Sequence, residues 1–188
     1  MSPSYLQFEQ TLAWHCAPSL AGIKAADLVS WQPPEQEAAA LLGHYARALN
    51  RRGIRLRVLG YSGSRMLLLI FRPKALETCL GQEEVTKMLR EAGYPVEQGV
   101  EELLMVLRRR LAQREFPHEI GLFLGYPPAD VEGFARDGGR NCKFSGLWKV
   151  YGDEEQAKQN FARFQRCRLA LSRRLERGEG LEQVFPAA

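Results

Sequence analysis

The chain is poor in the residues on which recognisable sites are usually built, with three histidines and four cysteines among 188 residues. Cys16, Cys79, Cys142 and Cys167 are scattered, without a Cys-x-x-Cys or any close pair. That spacing excludes a closed structural zinc site of the short-spaced kind and offers no disulfide framework. Read alone, they are free thiols, some of them buried. Neither GxxxxGK(S/T) nor GxGxxG occurs, so the Gly138-Gly139 turn is not a phosphate loop. No apolar run approaches the ~18 residues that cross a bilayer. The opening MSPSYLQFEQ has no basic region leading into an apolar one. The expectation is a cytoplasmic protein with no membrane partner.

What is present is ordinary in amount. Hydrophobic residues make up 45% and charged residues 26%, the balance of a soluble globular protein with a core of its own. The length suits one domain over residues 1–188. A net charge of +4 is modest for a nucleic-acid binder.

The apolar pattern changes period along the chain. Residues 4–15 suit a short helix stopped by Pro18, and 19–31 is ambiguous between helix and strand. Gln32-Pro33-Pro34 marks a break. From Glu35 to Arg52, Ala38, Leu41, Leu42, Tyr45 and Leu49 recur at helical spacing, ended by Gly53. Ile54, Leu56 and Val58 then alternate with arginines, and Met66–Phe71 is apolar on both faces. Together they read as a hairpin near 54–71 with a central second strand. Two helices follow around 85–92 and 100–111, then a strand at about 119–124, a short helix after Pro127-Pro128, and a strand at 146–151. Asp153 is placed to cap a last helix striped by Ala157, Phe161, Phe164, Leu171 and Leu175. The predicted fold is α/β, a mixed sheet of about four strands covered by helices.

Polar groups with chemical potential gather at three element boundaries: WHCAP (14–18), PHEIG (117–121) and GRNCKFSGLWK (139–149). His118 and Cys16 are the candidate catalytic pair, with Asp130 or Asn141 to orient the imidazole. The helix dipole would raise the Cys16 pKa if the residue ends a helix, and lower it if Pro18 begins one. His15, Glu119, Asn141 and Lys149 are candidate ligand contacts. His15, Cys16, His118, Glu119 and Cys142 supply the donor types that iron or another transition metal takes, though without paired spacing. The plainer reading of His118-Glu119 is a structural ion pair at a strand end, where successive side chains face opposite ways. Trp14, Trp31 and Trp148 read as core or pocket wall. The last helix carries seven basic residues and one acidic residue between Gln156 and Arg177. No nucleic-acid motif accompanies the basic segments, so they read as solvated surface, or as a docking face for an acidic protein.

Three stretches carry a resemblance: HCAPSLAGIKAADL (15–28), FPHEIGLFLGYPPADVEGF (116–134) and NCKFSGLWKVYGDEEQAKQNF (141–161). They resemble an uncharacterised family from anaerobic, chiefly clostridial, bacteria, a domain of unknown function, over roughly Trp14 to Cys167. The resemblance assigns no activity and no catalytic residue. It implies a context of flavodoxin and ferrous-iron transport genes, hence iron or redox physiology with flavodoxin as an acidic partner. Leu147 stands where the resemblance leads one to expect an aromatic residue or a cysteine beside the tryptophan. The resulting expectation is a ligand-binding or accessory protein with a His/Cys/Glu cleft for a small molecule or metal. A Cys–His acyl-transfer or hydrolytic enzyme and a protein-docking module are the alternatives.

Overall fold

The computed structural model describes residues 3–32, 36–113 and 115–185. Pro33, Pro34 and Glu35, where the sequence places a break and a helix start, lie outside them. The chain runs α1 (Pro3–Leu20), β1 (Ala26–Trp31), α2 (Ala38–Asn50), β2 (Arg55–Ser62), β3 (Arg65–Phe71), α3 (Pro73–Leu80), α4 (Glu83–Glu91) and α5 (Val100–Leu111). It continues through α6 (Ile120–Phe123), α7 (Pro128–Asp137), β4 (Phe144–Ser145), β5 (Lys149–Val150), α8 (Glu154–Glu176) and α9 (Leu181–Val184).

The α/β class is as expected, and the hairpin near 54–71 is present as β2–β3, turned through Gly63 at a φ of +60°. Among the described residues, however, the main sheet has three strands in the order β1-β3-β2, all antiparallel, rather than about four in a mixed sheet. β3 is central, and its apolar run divides by alternation. Met66, Leu68 and Ile70 face one core with α1, α2, α8 and α9; Leu69 and Phe71 face another with α3–α7. In β2, Leu56 and Val58 line the first core and Leu59 the second, as strand alternation requires, and a bulge between Val58 and Gly60 then shifts the register so that Tyr61 pairs with Met66.

Several elements differ from expectation for local reasons. Pro18 does not stop the first helix but sits in its last turn. There the Ser19 amide donates to Asp27 Oδ2 at 3.1 Å and the Ser19 hydroxyl to the Cys16 carbonyl at 3.0 Å, so backbone groups near the break are satisfied. Pro73 halts β3 and also opens α3 as its first residue, a helix the pattern did not reveal. The expected strand at 119–124 is the helical turn α6, in which Ile120, Gly121, Leu122 and Phe123 are all buried. A short apolar run fully buried on every side carries no period to tell strand from helix. The expected strand at 146–151 shrinks to the two-residue ladder β4–β5, separate from the main sheet, with Gly146, Leu147 and Trp148 at its tip.

The α8 cap is as read: Asp153 Oδ1 accepts from the Gln156 amide at 2.9 Å. Among the described residues, no helix is long and apolar enough to cross a membrane.

A cleft and a polar recess sharing one wall

Two adjoining hollows form where α6, α7 and the β4–β5 hairpin meet. The larger, about 500 Å³, is an apolar cleft walled by Ile120, Gly121, Val131, Phe134, Tyr126 and Trp148, with Phe116, His118, Leu147 and Lys149 also lining it. The smaller, about 120 Å³, is lined by His15, Lys24, Asp27, Arg168, Leu28 and Leu124. Tyr126, Leu147 and Trp148 line both. The Tyr126 and Trp148 rings stack at 4.6 Å, making the common wall.

That wall is held by one buried carboxylate. Asp130, in the first turn of α7 and 3% exposed, accepts from Trp148 Nε1 at 2.7 Å and from the backbone amides of Tyr151 and Gly152 at 2.7 and 2.8 Å. These charge-assisted bonds fix the far end of the hairpin to α7. Two glycines permit the fit. A Cβ at Gly146 would lie 2.2 Å from the Phe161 ring, and one at Gly133 would lie 2.3 Å from Tyr151. Phe161 meets Trp148 edge-on at 4.4 Å and stacks on Phe144 at 6.0 Å, so α8 backs the hairpin with an aromatic row.

The recess is charged. Lys24 Nζ reaches Asp27 Oδ1 at 2.5 Å and lies 5.3 Å from the Tyr126 ring centre. Burial pushes the Tyr126 phenol up to about 12, assisted by Asp27 and opposed by Arg168. His15 is partly covered; that burial, and then the Arg168 guanidinium, hold its pKa below the ordinary imidazole value against the pull of Asp27.

The three stretches singled out in the sequence are only partly brought together. His118 lines the cleft, its ring edge-on to Phe134 at 5.2 Å, and Lys149 lines it with Nζ 3.0 Å from Ser145 Oγ. His15 lines the recess. Glu119 takes the structural role: it pairs with Arg110 at 2.5 Å and accepts from the Tyr94 hydroxyl at 3.1 Å, tying the start of α6 to α5. Asn141 is exposed at a φ of +57°, and neither it nor Cys142 lines either hollow.

Cys16 is the clearest departure. It is fully buried in the first core, where burial and then Asp27 push its thiol well above the usual range. It lines neither hollow, so the structure does not set it beside His118 as an accessible nucleophile. Among the described residues no three His, Cys, Asp or Glu side chains gather as a metal-binding group, and the proposed set of His15, Cys16, His118, Glu119 and Cys142 is dispersed. Trp31 is core and Trp148 is wall, but Trp14 is 47% exposed. Of the basic residues, Arg57 pairs with Glu101 at 2.5 Å and Arg174 with Glu179 at 2.5 Å.

Lys24, Asp27, Tyr126 and Arg168 escaped the sequence reading. One signal was available for Arg168. The apolar stripe of α8 steps by four and three through 157, 161, 164, 168, 171 and 175, which puts an arginine on the inward face.

The fold and these hollows define a mixed α/β protein that carries an apolar cleft beside a charged recess. The chain belongs to the family described as Protein of unknown function (DUF3793), which it matches over residues 12–185. No match was found among curated proteins or among solved structures.

Proposed function

We propose that this protein binds a small, largely apolar, ring-bearing organic molecule in the cleft between α6, α7 and the β4–β5 hairpin. The observation that carries the reading is the cleft itself, about 500 Å³ with a wall that is mostly aromatic and aliphatic, where the acidic and basic side chains are His118, Lys149 and Asp130, the last with both oxygens taken by Trp148 and the hairpin amides. Binding sites for small molecules typically run from about 300 to 1,000 Å³ with this mixture of lining. Flat rings suit it because the Trp148, Tyr126 and Phe134 side chains offer ring faces and edges. An iron-loaded version of the reading has no clustered donor set among the described residues to support it, and a hydrolase built on Cys16 would need a thiol that is not buried in the core.

An uncharged fluorescent arene, N-phenyl-1-naphthylamine, tests this. Saturable fluorescence enhancement is expected with the full chain, and a strongly weakened one in the double variant Phe116→Asp/Leu147→Asp. These residues are 55% and 40% exposed, so the variant should keep its thermal midpoint. No saturable binding, or binding equal in the variant, would remove the proposal.

A further inference from the structure

The recess contains a charge that the fold does not use. Lys24 is engaged by Asp27 at 2.5 Å and by the Tyr126 and Phe164 rings at 5.3 and 6.0 Å. Asp27 is met on its other oxygen by the Ser19 amide at 3.1 Å. Among the described residues Arg168 has no comparable partner. Its Nε is shielded from solvent without a hydrogen bond, and its guanidinium makes no ion pair among the described residues. The other such nitrogen, Nε of Arg72, belongs to a guanidinium that is otherwise used, bonding the Arg52 and Leu20 carbonyls at 3.1 and 2.7 Å. Shielding part of a guanidinium from water without a partner costs free energy that no contact among the described residues returns. An arginine on the buried stripe of α8, where its neighbours are Phe164 and Leu171, bears that cost at a hollow that opens beside the cleft.

We propose that Arg168 and the recess around it receive the carboxylate of an apolar monocarboxylic acid whose body lies in the cleft. The inference rests on the reading of the cleft as a small-molecule site and names the class of its ligand. Size agrees: about 120 Å³ is room for a carboxylate but not for the ring that bears it, and is roughly four times the ~30 Å³ a water molecule takes in the liquid. Continuity agrees, because Leu147 at the hairpin tip lines both hollows and is 40% exposed, so a ligand can pass over it.

Charge chooses between carboxylate and phosphate. The formal charges of Lys24, Arg168 and Asp27 leave one positive charge in excess. His15 adds none at neutral pH, its imidazole being held below the ordinary value by burial and by Arg168. A phosphate monoester carries about −1.5 to −2 and would leave negative charge uncompensated next to Asp27. A carboxylate is balanced, and its two oxygens match the planar guanidinium fork.

Isothermal titration of the full chain with 2-naphthylacetate, 2-naphthylacetamide and 2-naphthyl phosphate tests the assignment. The acid is expected to bind at least about 10-fold tighter than the amide, the size of one charge-assisted pair, and tighter than the phosphate. Arg168→Gln and Arg168→Met should bring the acid down to the amide while leaving the amide unchanged. Arg168→Met should hold or raise the thermal midpoint, since a half-buried cation with a shielded, unbonded Nε is removed. Equal affinity of acid and amide, an acid preference that survives both Arg168 variants, or tightest binding of the phosphate overturns the inference. In each of those cases binding of the uncharged arene still stands as evidence for the cleft. Failure of the arene and all three naphthyl compounds removes both.

Discussion

At the scale of single residues, the informative positions are those whose chemistry disagrees with their neighbours. Arg168 is a cation on an apolar stripe, and that conflict is visible in the sequence once α8 is phased by its flanking phenylalanines and leucines. Lys24 and Asp27 left no comparable trace, because a lysine three residues before an aspartate reads as solvated loop until β1 is known to bury the aspartate. His15 carries a pH dependence of definite sign. Its folded-state pKa lies below the unfolded value of about 6.5, through burial first and Arg168 second. The unfolded chain therefore binds the proton more readily. The His15 contribution is intact above about pH 6.5 and is lost as pH falls from the unfolded pKa toward the folded one. Thermal midpoints of the His15→Gln variant should accordingly fall less than those of the parent between pH 7 and 5. A parallel decline in the two proteins would show that the imidazole carries no linkage.

At the scale of elements, boundaries with capping or turn chemistry were legible and short elements without it were not. Asp153 capped α8, Pro128 opened α7 and Gly53 closed the turn after α2, each for a reason written in the residue type. The run from Ile120 to Leu124 could not be phased, and reading it as strand sent His118 and Glu119 to opposite faces of a sheet that does not exist there. In the α6 turn they separate differently, His118 to the cleft and Glu119 to Arg110. The β4–β5 hairpin is the element on which the candidate site depends, and a single carboxylate makes three of its bonds to α7. Asp130→Asn replaces an acceptor-only group facing three N–H donors by an amide. A loss of about 1–3 kcal/mol is expected in chemical denaturation, with Trp148 emission shifting to the red. Leaving the carboxylate in place, Gly146→Ala should also loosen the hairpin, because the added methyl has no room above Phe161. If both variants keep native stability and Trp148 emission, Asp130 and Gly146 do not secure the wall.

At the scale of the whole molecule, one strand serves two cores. Leu68 and Leu69 are adjacent and fully buried, yet face opposite sides of the sheet. Leu68→Ala and Leu69→Ala should each cost about 2–5 kcal/mol, and both should move the same cooperative transition. Two separable transitions would show instead that the cores fold apart. The Met66–Phe71 run was recognisable as a central strand from its unbroken hydrophobicity, whereas the count of its partners was not, since pairing is decided by segments distant in sequence. The stacked Tyr126–Trp148 wall belongs equally to the large hollow and the small one. Neither compartment can therefore be resized alone: a bulkier side chain at position 147 shortens the span available to an occupant while narrowing the mouth of its neighbour. Leu147 thus acts as a gauge, and exchanging it would select for molecular length before it altered affinity for any one chemical group.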